Sequence, residues 1–360
     1  MRISLTIVAI ATLFGLQSSL DLEAARESPF PDSGKGYFTF YLDNDLFAGR
    51  DQNYTNGVRL SWISENRRIE DLGSIQRFLR QLSGDPDSFA VFRNVTGFRD
   101  PENIAYNFGF SITQLMFTPE DSIPTSQPFG QRRYAGWLGL GFSLHVKDGY
   151  ILNSIEVAVG TTGPNSLAEK AQDFVHDVRG IQKFNGWADQ IPNELTLDLS
   201  FVQKRRAGFV EADHGDFSMD GITEWGARLG SFQTAAHLGG FFRLGYNLPP
   251  DFSDPRLSST AYSHRYFQGA SEYNGPWSIY CFFGATAQGV LHDATLDGPL
   301  FRNFETGNTR EPFRRELFSG FGIRFSAIEF SYVHSWRSRE FKTQRERSSF
   351  GSVAVRYRWH

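Results

Sequence analysis

Tyr37-Phe-Thr-Phe-Tyr-Leu-Asp-Asn-Asp45 and Thr55-Asn-Gly-Val-Arg-Leu-Ser-Trp-Ile-Ser64 flank a short polar tip. In the first, Phe38, Phe40 and Leu42 alternate with Thr39, Tyr41 and Asp43. In the second, Val58, Leu60 and Trp62 alternate with Gly57, Arg59 and Ser61. A period of two over this length reads as a strand with one apolar face, and two such runs around an Asp/Asn-rich tip read as a hairpin. The tip is unusual in its density of hard oxygen donors: Asp43, Asn44, Asp45, Asp51, Asn53, Thr55 and Asn56.

Outward from this hairpin the same period recurs. Segment 104–114 sets Tyr106, Phe108, Phe110 and Ile112 against Asn107, Gly109, Ser111 and Thr113, and segments 134–146, 194–202 and 349–359 repeat the pattern. One face is apolar and aromatic; the other is glycine, serine and charge. Further strands are expected at 150–160, 208–215, 220–231, 276–290, 315–326 and 327–337, making twelve. A candidate at 235–246 is set aside as a turn-side excursion, because single-chain bacterial barrels have an even strand number.

Composition agrees with a barrel. Among 360 residues, aromatics make 15% and glycine numbers 35, yet the mean hydropathy is −0.36. Lipid-facing aromatics around a polar lumen give that combination. The net charge of −4 supplies no basic excess for nucleic acid. The single cysteine, Cys281, has no internal partner.

Arg2 followed by the apolar run Ile3–Leu16 and small residues near Ala24-Ala25 reads as a secretory signal peptide spanning about 1–25. No other segment approaches the ~18 apolar residues of a spanning helix. The expected fold is therefore all-β: a transmembrane antiparallel β-barrel over residues 26–360, in the outer membrane of a Gram-negative bacterium, and monomeric.

With both termini periplasmic, connections 46–54, 117–133, 161–193, 216–219, 291–314 and 338–348 fall outside the cell. Connections 65–103 and 232–275 fall on the periplasmic side, where such lengths are unusual. The loop 161–193 carries a short extracellular helix, with Asn165 or Ser166 as N-cap and Gly180 as its stop. Leu167, Ala171, Phe174, Val175 and Val178 form its apolar stripe, expected to pack on the barrel. Gln172, His176 and Arg179 form the adjoining polar stripe.

Two groups of residues bear on chemistry. His176 is either an ordinary surface histidine or a base; imidazole, with an unperturbed pKa of about 6.5, suits activation of water near neutrality. The Asp/Asn tip is either hairpin turn chemistry or a Ca2+ site, where a cation would polarise an ester carbonyl. Parity points Asn44 and Asp45 to opposite faces, so sharing an ion requires a bulge or a curling strand. Arg132 and Arg133, with Lys170, Arg179 and Lys183, are candidate readers of lipid phosphate. A Gly-x-Ser-x-Gly nucleophile elbow is absent from the sequence.

The motifs together resemble the outer-membrane lipid A 3'-O-deacylase family. They are Asp43-Asn-Asp45 with Tyr54-Thr-Asn-Gly57, Gln114-Leu-Met-Phe-Thr-Pro119 and Arg132-Arg-Tyr-Ala-Gly-Trp137. Gly163-Pro164 through Phe174-Val-His176, Gly186-Trp187 with Gln190 and Glu194, and Arg337-Ser-Arg-Glu-Phe-Lys342 complete the set. They run in order through nearly the whole mature chain. Family members commonly carry Asp-Arg-Pro-Tyr-Ala-Gly-Trp, whereas Gln131 and Arg133 stand here in place of the acid and the proline.

The resemblance implies a twelve-stranded barrel with its active site between the wall and a loop helix. It implies a Ca2+-dependent esterase, a carboxylic ester hydrolase that removes the 3'-linked acyloxyacyl group of lipopolysaccharide. By position, His176 matches the catalytic histidine, Asn44, Asp45 and Thr55 the active-site Asn-Asp pair and threonine, and Gln172 a glutamine one helical turn before the histidine. The other readings are a non-catalytic pore or structural barrel, and a phospholipase-type acyl hydrolase.

Overall fold

The computed structural model describes residues 36–44, 53–67, 73, 104–121, 123–180, 182–211, 217–249, 251, 252, 256 and 276–359; for 53–55 and 208–211 it describes the backbone alone. The expected signal peptide and Asp45 lie outside the described residues. Twelve strands close into one antiparallel barrel in which each pairs with its sequence neighbours and β1 closes on β12. They are β1 (Gly36–Asn44), β2 (Asn53–Ser64), β3 (Ala105–Thr118), β4 (Ala135–Lys147), β5 (Ile151–Thr162), β6 (Leu195–Glu211), β7 (Phe217–Gly230), β8 (Gln233–Tyr246), β9 (Trp277–Asp293), β10 (Phe313–Phe325), β11 (Ile328–Arg337) and β12 (Ser348–Trp359). Closure leaves no free edge, so every strand can satisfy its backbone groups inside a membrane. No helix among the described residues is long and apolar enough to cross one.

The strand total matches the expectation, but two assignments differ and offset each other. Segment 194–202 and the described part of 208–215, up to Glu211, fall on the single strand β6, residues 212–215 lying outside the described residues, and 235–246 is in the strand β8. A register irregularity between Arg206 and Phe209 breaks the alternation inside β6. Cutting β6 in two raised the total to thirteen, and the even-number rule then set aside the genuine strand β8. A Cβ on Gly239 would lie 2.5 Å from the Ala285 carbonyl oxygen, and one on Gly240 2.6 Å from that of Ile222. The outer connection in this region is consequently Ser231–Phe232, not 216–219, and the long connection expected at 232–275 runs from 247 to 276.

Parity sorts the wall as expected. Phe38, Phe40, Leu60, Ile112, Leu140, Phe142, Ile279, Phe283, Phe321 and Phe330 are exposed and point outward. At the end holding Gly36 and Trp359, Phe38 meets Trp359, Trp277 meets Phe325 and Phe217 meets Tyr246, forming an aromatic girdle. Cys281 is also exposed on this outer face.

The lumen is filled with paired charge. Arg59 donates to Glu156 at 2.7 Å, Arg228 to Asp198 at 3.2 Å and Arg356 to Glu329 at 3.1 Å. The β8–β9 connection adds to the filling. Asp251 pairs with Arg243, and the Phe252 carbonyl accepts from Lys204 at 3.0 Å, while the Phe252 ring packs with Ile63 and Leu152. Arg256 donates to Glu316 at 2.8 Å and lies 3.3 Å over the Phe318 ring. Asp251, Phe252 and Arg256 of this connection thus lie among the lumen side chains.

At the opposite end a 3-10 turn (Gly163–Ser166) leads into α1 (Ala168–Arg179). Its N-cap is Leu167, in the left-handed region at φ 58°, rather than Asn165 or Ser166. The Ser166 hydroxyl is committed instead to the Gly163 carbonyl at 2.6 Å, and the Asn165 N–H to the Asn193 side chain at 2.8 Å. Gly180 ends the helix at φ 64°, as expected. A second short helix, α2 (Ala294–Asp297), follows β9.

Candidate active site on the outer wall

The register fixes which side of the wall carries α1. Asn44 of β1 pairs with Asn56 of β2, Asn56 with Met116 of β3, and Met116 with Gly136 of β4. Residues paired in this way share a face of the sheet, and this row has the parity of the exposed Ile112, Leu140 and Phe142. A Cβ on Gly136 would fall 2.0 Å from Ser166 Oγ and 2.5 Å from Ala168 Cβ. Gln114, on the same face, donates from Nε2 to the Ser166 carbonyl at 2.7 Å. The helix is therefore seated on the outer side of the barrel, above β3 and β4.

Its orientation reverses the expected one. Ala168, Gln172 and His176 form the buried stripe, packed with Met116, Tyr134 and Trp187 beneath them. Phe174 and Val178 are 69% and 71% exposed. Beneath the helix, Trp187 Nε1 and the Gln182 carbonyl supply hydrogen-bond partners for Gln172 and His176, which lets the polar stripe face the wall.

On the buried face two polar side chains are held in defined states. His176 Nδ1 lies 2.8 Å from the Gln182 carbonyl oxygen, and the ring meets Phe184 edge-on at 4.9 Å. A carbonyl only accepts, so Nδ1 carries a proton and Nε2 is the ring nitrogen left to take up another. The Gln172 Oε1 accepts from Trp187 Nε1 at 2.7 Å, which turns the amide NH2 the other way. That Nε2 is buried and has no hydrogen-bond partner. Residues i and i+4 on one helix lie about 5–6 Å apart at Cβ, so a donor and a base stand side by side.

Asn44 lies on the same outer face at the same end, three strand steps or about 14 Å along the sheet from Gly136. Thr55 is the extra residue of a β-bulge between Tyr54 and Asn56, so a bulge does occur at this hairpin, on β2. Asp43 points inward and is fully buried. Asn44 and Asn56 offer amide oxygens of the type a hard cation takes, and no cluster of three His, Cys, Asp or Glu is present among the described residues.

The two arginines part company. Arg132 is 1% exposed and donates to Glu340 at 3.1 Å and Thr295 at 2.8 Å, with its guanidinium 4.4 Å from the centre of the Phe117 ring. It joins the β3–β4 loop to α2 and the β11–β12 loop on the inner side of the rim, and it does not face the lipid or the solvent. Burial pulls its guanidinium below the ordinary value. Burial would raise Glu340, but Arg314, Arg337 and Arg132 hold its carboxyl below the usual value. Arg133 stays nearer the surface, bonded to Asp189 at 2.5 Å. Lys183 pairs with Asp177 at 2.9 Å and Asp173 at 3.5 Å.

The roles of Gln182 and Trp187 were not legible in the chain. A backbone carbonyl has no sequence signature. Trp187 stands in a Gly-Trp pair whose only hint is the glycine: a Cβ on Gly186 would strike Tyr134 at 2.3 Å.

A family model described as outer membrane protein LpxR matches residues 7–359. Among solved structures, LpxR from Salmonella typhimurium superposes with a TM-score of 0.68 at 17% identity, covering 89% of this chain and 99% of that one. The β domain of the Bordetella autotransporter BrkA gives 0.42 at 9% identity, over 91% and 99% of the two chains. The translocator domain of NalP from Neisseria meningitidis gives 0.38 at 9%, over 98% and 96%. No curated protein sequence matches the chain.

Proposed function

The chain belongs to the LpxR family of outer membrane proteins, and on that premise we propose that it is a lipid A deacylase which hydrolyses the 3'-linked acyloxyacyl ester in the outer leaflet. The observation that carries the reading is the pair on the buried face of α1: His176 with its Nε2 left basic by the Gln182 carbonyl, beside the unpartnered amide of Gln172. A phosphoglycolipid enters such a site sideways from the leaflet, because the site is on the outer wall.

In this reading His176 Nε2 removes a proton from water as the oxygen attacks the ester carbonyl. The Gln172 NH2 donates to the oxygen on which negative charge develops. The imidazolium then gives its proton to the departing 3'-oxygen of the sugar, releasing the acyloxyacyl acid and leaving a 3'-hydroxyl. Asn44 and Asp45 are the residues that would hold Ca2+, and Thr55 is on the bulge next to Asn56, which pairs with Asn44. The amide oxygen of Asn44, on the outer face, suits that ion. When bound, Ca2+ supplies electrostatic stabilisation of an ester carbonyl. Arg133 remains a candidate for lipid phosphate, whereas Arg132 would have to leave Glu340 to act there.

A pore reading is disfavoured by the paired charges of the lumen, to which Asp251 and Arg256 of the β8–β9 connection add. Mass spectrometry of lipid A from cells expressing the chain is the direct test. The expected result is loss of the 3'-acyloxyacyl group, abolished by chelation of Ca2+ and reduced about 10²–10⁴-fold in His176→Ala. Intact lipid A alongside phospholipids that have lost acyl chains would overturn the proposal in favour of phospholipase-type hydrolysis.

A further inference from the structure

The stripe that was expected to pack on the barrel is turned away from it. On α1, Phe174, Val175 and Val178 are all exposed. At 100° per residue they share one arc of the helix with Ala171. Glu169, Lys170, Asp173 and Asp177 occupy the opposite arc, and Ala168, Gln172 and His176 lie between them against the wall. The helix thus has three faces: one to the protein, one charged and one apolar.

Such a face on a soluble surface would be a liability. Here it adjoins an established apolar surface. The outward residues of β4, β5 and β6 nearest this end include Leu140, Val159, Leu195 and Leu197, all exposed on the lipid-facing wall. Since α1 is seated on that side through Gly136, Gln114 and Met116, its apolar arc continues the belt that meets the membrane. The charged arc is internally paired through Lys183 to Asp173 and Asp177, as in a surface kept in water.

We propose that α1 lies within the outer leaflet, with Phe174, Val175 and Val178 among the acyl chains and Asp173 and Asp177 in the headgroup layer. This is an interfacial amphipathic helix, whose apolar face typically sits about 5–10 Å into the headgroup–acyl boundary. The partner surface is the acyl chains of the bilayer itself. The arrangement places the face bearing His176 at the depth where headgroup and chain meet. It is independent of which ester the site cleaves.

The test reads immersion rather than turnover, so it is separable from the deacylase proposal. The full chain carrying Cys281→Ser is spin-labelled through Phe174→Cys, Val178→Cys or Asp177→Cys and reconstituted in phosphatidylethanolamine–phosphatidylglycerol vesicles. Collision with oxygen is compared with collision with a water-soluble nickel chelate. Labels at 174 and 178 should favour oxygen several-fold over the label at 177, which reports from the opposite arc of the same helix. Equal nickel access at 174, 178 and 177 would overturn the proposal. Spin–spin broadening at 174 and 178 would overturn it too, because a second copy of the chain would then cover the stripe.

Discussion

Trp187 shows how much a single hydrogen bond decides at the residue scale. An amide presents either oxygen or nitrogen to a site, and the indole N–H at 2.7 Å fixes which one for Gln172. Trp187→Phe keeps the ring against Tyr134, 5.0 Å away, but frees the amide to rotate. A lost hydrogen bond of about 1–1.5 kcal/mol predicts a fall of roughly tenfold in kcat. KM should stay unchanged in micellar assays of lipid A deacylation. An equal rise in KM would mark Trp187 as packing only. The residue types at this site were legible: His176 and Gln172 stand one turn apart on a helix whose end Gly180 announced. Their orientation was not, because Gln182 acts through its backbone and Trp187 lies fifteen positions from its partner.

At the scale of elements, α1 and β4 depend on one missing side chain. Gly136 lets Ser166 and Ala168 approach the strand, so Gly136→Leu should lift the helix without opening the barrel. Misplacement of catalytic groups by an ångström can cost about 10²-fold. The expected outcome is a variant with normal heat-modifiable migration on gels and about that loss of deacylation. A variant that fails to form a barrel at all would show that the glycine serves the strand and not the helix. The same elements explain where pattern reading succeeded and failed. Uninterrupted alternation identified β1 to β5 and β12 to within a few residues. The irregularity at Arg206 cut β6 in two, and the surplus strand this created led the even-number rule to set aside β8, whose close strand contacts demand Gly239 and Gly240. Helical periodicity identified α1 and its stripes, but assigned the apolar one to the protein, since periodicity does not say which neighbour is the less polar.

For the whole molecule, charge does inside the barrel what hydrocarbon does in a soluble core, and the outer rim is the place to measure it. Glu340 gathers Arg132, Arg337 and Arg314 from three connected regions. Because its carboxyl titrates lower in the folded protein than its ordinary 4.5, it stabilises the fold above that pH. The contribution is lost as pH falls through the lower folded value. Glu340→Gln should cost about 3–5 kcal/mol by leaving buried guanidinium charge uncompensated. It should also remove part of the acid-induced drop in the unfolding temperature measured in detergent. A variant that unfolds at the wild-type temperature at neutral pH would contradict this.

The β8–β9 connection bears on the order in which the protein is made. Polar groups that hold Asp251, Phe252 and Arg256 stand on β6, β7, β8, β9 and β10, which are contiguous in the sheet. An open, still-curling sheet of these strands can therefore take up its filling before the seam between β1 and β12 is sewn. Ile63, carried by β2 near that seam, then comes to rest against the Phe252 ring. Packing first and closing afterwards would spare a closed barrel from admitting a chain through its mouth.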